Sequence, residues 1–229
     1  MPNDQINSVI PGGIFFDLDG TLADTAPDLG NALNQLLVMQ GREPLPIKVI
    51  RPYVSRGTPA LLDLGFQITA DDLRYPPLRT QFLKFYSNNI CDSTTLFPGI
   101  AQLITDIEKQ GVLWGIVTNK PHALTVPLLK KLPFPHQPAI VVSGDTLAAK
   151  KPHPEPLLHA CARIGVNARQ SLYIGDDHRD IQAARAAHMR SIAVTYGYTL
   201  PEDDPSKWKA TFVADDVVEI ALWLKRHYF

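Results

Sequence analysis

The run Gly13-Ile14-Phe15-Phe16-Asp17-Leu18-Asp19-Gly20-Thr21-Leu22 changes character abruptly at Asp17, where bulky apolar side chains give way to two acids and a glycine. A short continuous apolar run of this kind reads as a strand buried on both faces and ended by a polar loop. Four more runs share the form, at residues 112–117, 139–142, 171–174 and 191–194. Between them apolar residues recur at helical spacing. Ile100, Leu103, Ile104 and Ile107 make a regular stripe, Leu157, Leu158, Ala162 and Ile164 a looser one, and residues 217–224 a last helix. Strands alternating with helices imply an α/β fold, a doubly wound parallel sheet with right-handed crossovers.

The alternation stops between residues 24 and 93. Leu29, Leu33, Leu36 and Leu37 form one helical stripe and Leu73, Leu78, Phe82 and Phe85 another, with no strand pattern between them. The expected organisation is a core of residues 1–23 and 94–229 with a small helical cap domain of residues 24–93. The cap leaves the core directly after the first strand and returns near Leu96-Phe97-Pro98-Gly99. Its hinges fall near residues 24–26 and 93–98, so it hangs over the carboxyl edge of the sheet.

Composition narrows the partners. The 229 residues are 45% apolar and 20% charged, as in ordinary globular proteins, and the net charge is -1. Without clustered cations there is no signature of nucleic acid or membrane surface, which points to a small-molecule ligand. Cys91 and Cys161 lack the spacing of a zinc site or a disulfide framework, in keeping with a reducing, cytoplasmic setting, and read as packing residues. Residues 1–7 show no basic region leading into an apolar run. His122, His153, His159 and His178 have no metal-ligand spacing.

In open α/β sheets ligands bind outside the carboxyl ends of the strands. The first strand is followed by Asp17, Asp19 and Thr21, the second by Thr118, Asn119 and Lys120. Lys150 and Lys151 follow the third strand, and Gly175, Asp176, Asp177 and Asp180 the fourth. Carboxylates, a hydroxyl, an amide and an ammonium gathered at one edge are the inventory for holding Mg²⁺ and a phosphate together. Without a cation, so many acids would repel a phosphate dianion. The plainer alternatives are an Asp-Gly turn after the first strand, helix capping by Thr118 and Asn119, and a solvated Lys150.

These segments resemble the motifs of the haloacid dehalogenase superfamily of phosphatases over nearly the whole chain. Asp17-Leu18-Asp19-Gly20-Thr21-Leu22 is similar to the first motif, Thr118-Asn119-Lys120 to the second, Lys151-Pro152-His153-Pro154-Glu155-Pro156 to the third and Gly175-Asp176-Asp177-His178-Arg179-Asp180 to the fourth. The resemblance implies that Asp17 is a nucleophile forming an aspartyl-phosphate and that Asp19 is the acid and base. Thr118, Asn119 and Lys151 hold the phosphoryl oxygens, and Asp17, Asp19 and Asp176 hold Mg²⁺. Asp180, or alternatively Asp177, orients the water around the metal. The expected substrate is a small phosphorylated metabolite.

The insert is similar to the small cap of phosphoglycolate phosphatases, and residues 114–121 and 196–203 resemble the branch that includes N-acetylmuramic acid 6-phosphate phosphatases. Val54-Ser55-Arg56-Gly57 lies where such caps dip a specificity loop, so Arg56 is expected to face the site and grip a substrate carboxylate. Asp19 argues for phosphate hydrolysis, although a phosphosugar mutase of the same superfamily uses the same pair of acids. A non-enzymatic receiver-like phospho-switch also joins acids, a Thr and a Lys on a doubly wound sheet. In receivers, however, the acids after the first strand are adjacent and the acceptor follows the third.

Overall fold

The computed structural model describes residues 11–200 and 202–229, so the expectations for residues 1–10 and for Pro201 lie outside the described residues. The strands are β1 (Gly13–Phe16), β2 (Ala23–Asp24), β3 (Thr95–Leu96), β4 (Leu113–Val117), β5 (Ile140–Val142), β6 (Leu172–Gly175), β7 (Arg190–Val194) and β8 (Phe212–Ala214). The helices are α1 (Ala26–Met39), α2 (Ile47–Ile50), α3 (Gly57–Phe66), α4 (Tyr75–Asn88), α5 (Ile100–Lys109), α6 (His122–Lys131), α7 (Glu155–Ile164), α8 (His178–Ala186) and α9 (Val217–His227).

Six strands form one parallel sheet in the order β5-β4-β1-β6-β7-β8. Side chains alternate along β1, so Ile14 and Phe16 join one core and Phe15 the other. The first core is completed by Ile100, Leu103, Ile104 and Ile107 of α5 and by Ile220 and Leu224 of α9. The second takes Leu157, Ala160 and Cys161 from α7 and Ala183 and Ala184 from α8. Helices on both faces explain why β1 is apolar throughout.

The sheet has one strand more than expected. The segment Phe212–Ala214 pairs with β7 at the edge; its run of Phe, Val and Ala has one β-branched residue against three in β5 and gives a weaker strand signal. The looser stripe on α7 is also corrected: Leu158 is exposed, as is Ala162, and the buried residues are Pro156, Leu157, Ala160 and Cys161.

Within residues 24–93 the α1 stripe is buried as expected, and α1 packs against α4. Leu73 departs from its expected stripe. It is 94% exposed, because a turn in which Asp72 accepts from the Arg74 N–H precedes α4, and the helix starts only at Tyr75 with Pro76 in its first turn. Where the chain leaves and re-enters the sheet, β2 and β3 pair antiparallel, Ala23 opposite Leu96 and Asp24 opposite Thr95. The buried Asp28 carboxylate clamps the same place, accepting from the Ser93 and Thr94 N–H groups and from the Thr94 hydroxyl. No helix among the described residues is long and apolar enough to cross a membrane.

Candidate active site

The strand order reverses direction at β1, with β4 on one side and β6 on the other, so the crevice opens beyond the carboxyl ends of these three strands. Asp17 leaves β1 with its N–H bonded to the Ile174 carbonyl at 2.9 Å. The chain then turns sharply at Gly20, whose φ of +85° suits a residue without a side chain; a Cβ there would lie 2.1 Å from Asp176 Oδ2. That tight approach lets the Thr21 hydroxyl donate to Asp176 Oδ1 at 3.0 Å.

Asp17, Asp176 and Asp180 converge, each buried, with one carboxylate oxygen apiece within 4.8 Å of the others. Lys151 is buried among them, its Nζ 2.9 Å from Asp17 Oδ1, 2.7 Å from Asp180 Oδ1 and 2.7 Å from the Tyr173 hydroxyl. Tyr173 in turn donates to the Val117 carbonyl at 2.6 Å, which fixes the lysine to the end of β4. Burial pushes the Asp180 carboxyl up to about 7, with Asp17 and Asp177 adding to the rise and Lys151 opposing it. Burial, and then the charges of Asp17 and Asp180, hold Asp176 well above the usual carboxylate range. Burial works against the charge on Lys151, yet the Asp17 and Asp180 carboxylates outweigh it and raise the ammonium pKa.

This donor set fits a hard divalent cation. Three buried carboxylates face one ammonium, and Asp17 Oδ1, though within ion-pair distance of Lys151, receives no well-directed hydrogen bond. All the ligands on offer are oxygens, the preference of Mg²⁺ and its neighbours.

The structure distributes the expected residues unevenly. Asp19 stands apart from the three acids: its carboxylate accepts from the Thr25 hydroxyl at 2.6 Å and from Lys120 Nζ at 3.0 Å. Asp180 supplies the third carboxylate of the buried cluster. Thr118 is buried at the end of β4, its Oγ1 accepting from the Lys120 N–H. The Asn119 amide bonds the main chain of Lys151, donating to the carbonyl at 2.9 Å and accepting from the N–H at 3.0 Å, so it places the lysine. Asp177 caps α8 in a capping box with Asp180 and pairs with Arg179 at 2.7 Å, an arrangement that holds its carboxyl below the usual range despite burial. Arg56 lines the site cavity, but its guanidinium is paired with Asp203 at 2.7 Å. Lys150 also lines the cavity.

Several participants had been given no role from the sequence. Lys120, buried, carries the Asp19 pair and lies 4.5 Å over the Tyr86 ring of α4. Ser55, from the 3₁₀ turn Arg51–Arg56, donates its hydroxyl to Asp176 Oδ2 at 2.7 Å, and the same oxygen accepts from the Tyr198 N–H at 2.9 Å. Arg179 donates to the Ser55 carbonyl. Lys120 and Arg179 stood inside quoted motifs, and Ser55 and Tyr198 inside quoted segments; the contacts that bring them to the site are tertiary, and no local pattern encodes those. Asp17, Asp19, Thr118, Lys120, Lys151 and Arg179 at the sheet edge and Ser55, Arg56 and Tyr86 of the helical segment line a cavity of about 440 Å³.

A model of the haloacid dehalogenase-like hydrolase family matches residues 14–194. The chain is 43% identical over 205 residues to the phosphoglycolate phosphatase of Xanthomonas campestris pv. campestris (strain 8004), covering 90% of this chain and 92% of that protein. It is 37% identical over 207 residues to the N-acetylmuramic acid 6-phosphate phosphatase of Pseudomonas aeruginosa PAO1, covering 90% and 92%. A crystal structure of a predicted phosphoglycolate phosphatase from Haemophilus somnus 129pt is similar with a TM-score of 0.81 at 28% identity, covering 93% of this chain and 97% of that one.

Proposed function

Since the chain belongs to the haloacid dehalogenase-like hydrolase family, we propose that it hydrolyses a small carboxylated phosphate monoester through a phosphoaspartate on Asp17, with Mg²⁺ as cofactor. It is a phosphoric monoester hydrolase, as are its relatives, and phosphoglycolate and N-acetylmuramic acid 6-phosphate are the substrates their names suggest. The receiver-like switch finds no support in this membership. Two free cysteines suit a cytoplasmic setting.

The observation that carries the mechanism is the position of Asp17, buried at the crevice between β4 and β6 yet lining the cavity beside Lys151. A carboxylate oxygen of Asp17 attacks phosphorus as the substrate's ester oxygen leaves, and Asp19 gives that oxygen a proton. Asp19 then takes a proton from the water that attacks the phosphoaspartate, which releases inorganic phosphate and restores Asp17. Lys151 orients Asp17 and offsets charge on the phosphoryl oxygens, and the Thr118 hydroxyl is placed to bond them. Asp17, Asp176 and Asp180 would hold a divalent cation, which supplies further positive charge toward the phosphoryl group.

Residues 24–93 serve as a cap over this site, and Ser55 on Asp176 is the contact by which it closes. Closure limits the water that reaches the phosphoaspartate.

The test is Asp17→Asn with p-nitrophenyl phosphate, scored by release of inorganic phosphate. A neutral amide is a poor nucleophile, so turnover is expected to fall at least ~10³-fold, about 4 kcal/mol of barrier. Near-normal turnover in the variant refutes the mechanism, and isomerisation of a phosphosugar without phosphate release would mark a mutase.

A further inference from the structure

Two arginines of the helical segment line the cavity above Asp17, and they differ in what they have left to offer. Arg56 is already neutralised by Asp203 at 2.7 Å. Arg79, on α4, is exposed and has no carboxylate partner among the described residues.

Its place on the helix gives its separation from the end of α4 that meets the site. Tyr75, Arg79, Leu83 and Tyr86 all line the cavity, and their spacing of four, four and three residues puts them on one face of α4. Tyr86 marks the catalytic end, because Lys120 Nζ lies 4.5 Å over its ring and 3.0 Å from Asp19. Arg79 stands seven residues earlier, roughly 10 Å away along the helix axis at 1.5 Å per residue. Leu83 lies between them, and Leu29, Val54 and Leu61 line the same cavity, so the space between the acids and Arg79 has an apolar wall.

We infer that Arg79 is a specificity-determining residue that binds an acidic group of the substrate remote from its phosphate. The ligand class that spans the site is a phosphorylated sugar acid, with phosphate at Asp17, the ring against the apolar wall and the carboxylate on the guanidinium. A two-carbon acid phosphate, whose carboxylate sits immediately beside its ester, is too short to use both ends. A free guanidinium can grip a carboxylate with two parallel hydrogen bonds, a geometry that an ammonium does not reproduce.

This inference rests on the phosphatase reading above, and the experiment separates the two. N-acetylmuramic acid 6-phosphate and N-acetylglucosamine 6-phosphate differ by one lactyl carboxylate group. Their kcat/KM values are compared in the wild type, Arg79→Ala and Arg79→Lys, with p-nitrophenyl phosphate as a reference. The wild type is expected to prefer the carboxylated sugar. In Arg79→Ala the ratio of the two kcat/KM values should fall by about 10- to 100-fold, the range for a charge-assisted hydrogen bond, with the loss carried by KM. Arg79→Lys should recover only part of it. A wild type without preference, or an Arg79→Ala variant whose ratio matches the wild type, overturns the inference. If the wild type leaves p-nitrophenyl phosphate and both sugars intact, the phosphatase reading fails as well; the carboxylate preference is then read as a difference in Kd by calorimetry, and equal Kd values for the two sugars overturn the role of Arg79.

Discussion

Replacing Lys151 by methionine removes a buried charge while nearly keeping the side-chain volume. Its Nζ lies 2.9 Å from Asp17 Oδ1, 2.7 Å from Asp180 Oδ1 and 2.7 Å from the Tyr173 hydroxyl, and the side chain is 2% exposed. Breaking a buried ion pair by deleting one partner costs about 3–5 kcal/mol, because the other charge stays buried. Here two carboxylates are orphaned, but the loss does not double. Lys151 is what pulls Asp180 down to about 7; without it the carboxyl rises further and takes up a proton near neutrality, which caps the penalty. The expected loss in metal-free protein at pH 8 is about 3–5 kcal/mol. At pH 5 Asp180 is already protonated in the wild type, so less pairing remains to be lost and the difference should shrink. Equilibrium urea denaturation at both pH values measures it. In excess Mg²⁺ the gap should narrow, since a cation bound by the folded state supplies the missing charge. A loss below about 1 kcal/mol at pH 8, or a larger loss at pH 5 than at pH 8, would refute the view that Lys151 is the counter-charge of the acid cluster.

Asp19→Asn should still allow Asp17 to be phosphorylated by an activated ester but stall the second step, so that rapid quench traps phosphoenzyme; normal steady-state turnover would contradict this. Activity should vanish in chelator and return with Mg²⁺, and Asp176→Ala should raise the metal requirement in a direct binding titration; full activity in excess chelator would exclude the metal. Asp180 has a folded pKa of about 7 against an ordinary 3.8, so between those values the folded state keeps a proton that the unfolded chain has released. Metal-free stability should therefore fall as pH rises through that window, and a rising urea midpoint would be the wrong sign. Asp28→Asn can keep an oxygen on the Thr94 donors only by turning its N–H₂ toward the Ser93 N–H, and with the charge lost it should cost about 1–3 kcal/mol of stability at pH 7, measured by the same urea titration. No loss would mean that the clamp contributes nothing.

How much could be read in advance follows from what local sequence encodes. β1 was legible as a continuous apolar run that is buried throughout, Ile14 to Phe16, and α5 because its burial repeats with the helical period, Ile100 to Ile107. β8 was not, since its three residues hold a single β-branched one, and neither was the β2–β3 pair, since two residues cannot display a period. Leu73 was misplaced because a stripe says nothing of where a helix begins, which the Asp72 turn and Pro76 decide. At the site, the four loops and their order were readable. Which carboxylate turns toward which neighbour was not: Asp19 and Asp180 differ by their contacts with Lys120 and Lys151, residues remote in sequence. The same limit applies to Arg56, whose partner Asp203 lies 147 positions away.

The pairing of Ala23 with Leu96 brings the two ends of the helical segment side by side, and Asp28 ties the returning strand to the first turn of α1. The entropy of closing that excursion is therefore settled at its neck and depends only weakly on the length of chain beyond it. Such a segment can be treated as a cassette. Cut between Asp24 and Thr95, it could be exchanged for a helical segment of different length, provided that the newcomer supplies its own acid at the clamp, while the six-stranded sheet keeps its register. Recognition of the substrate body and cleavage of the phosphate ester would then be separately interchangeable parts of one chain.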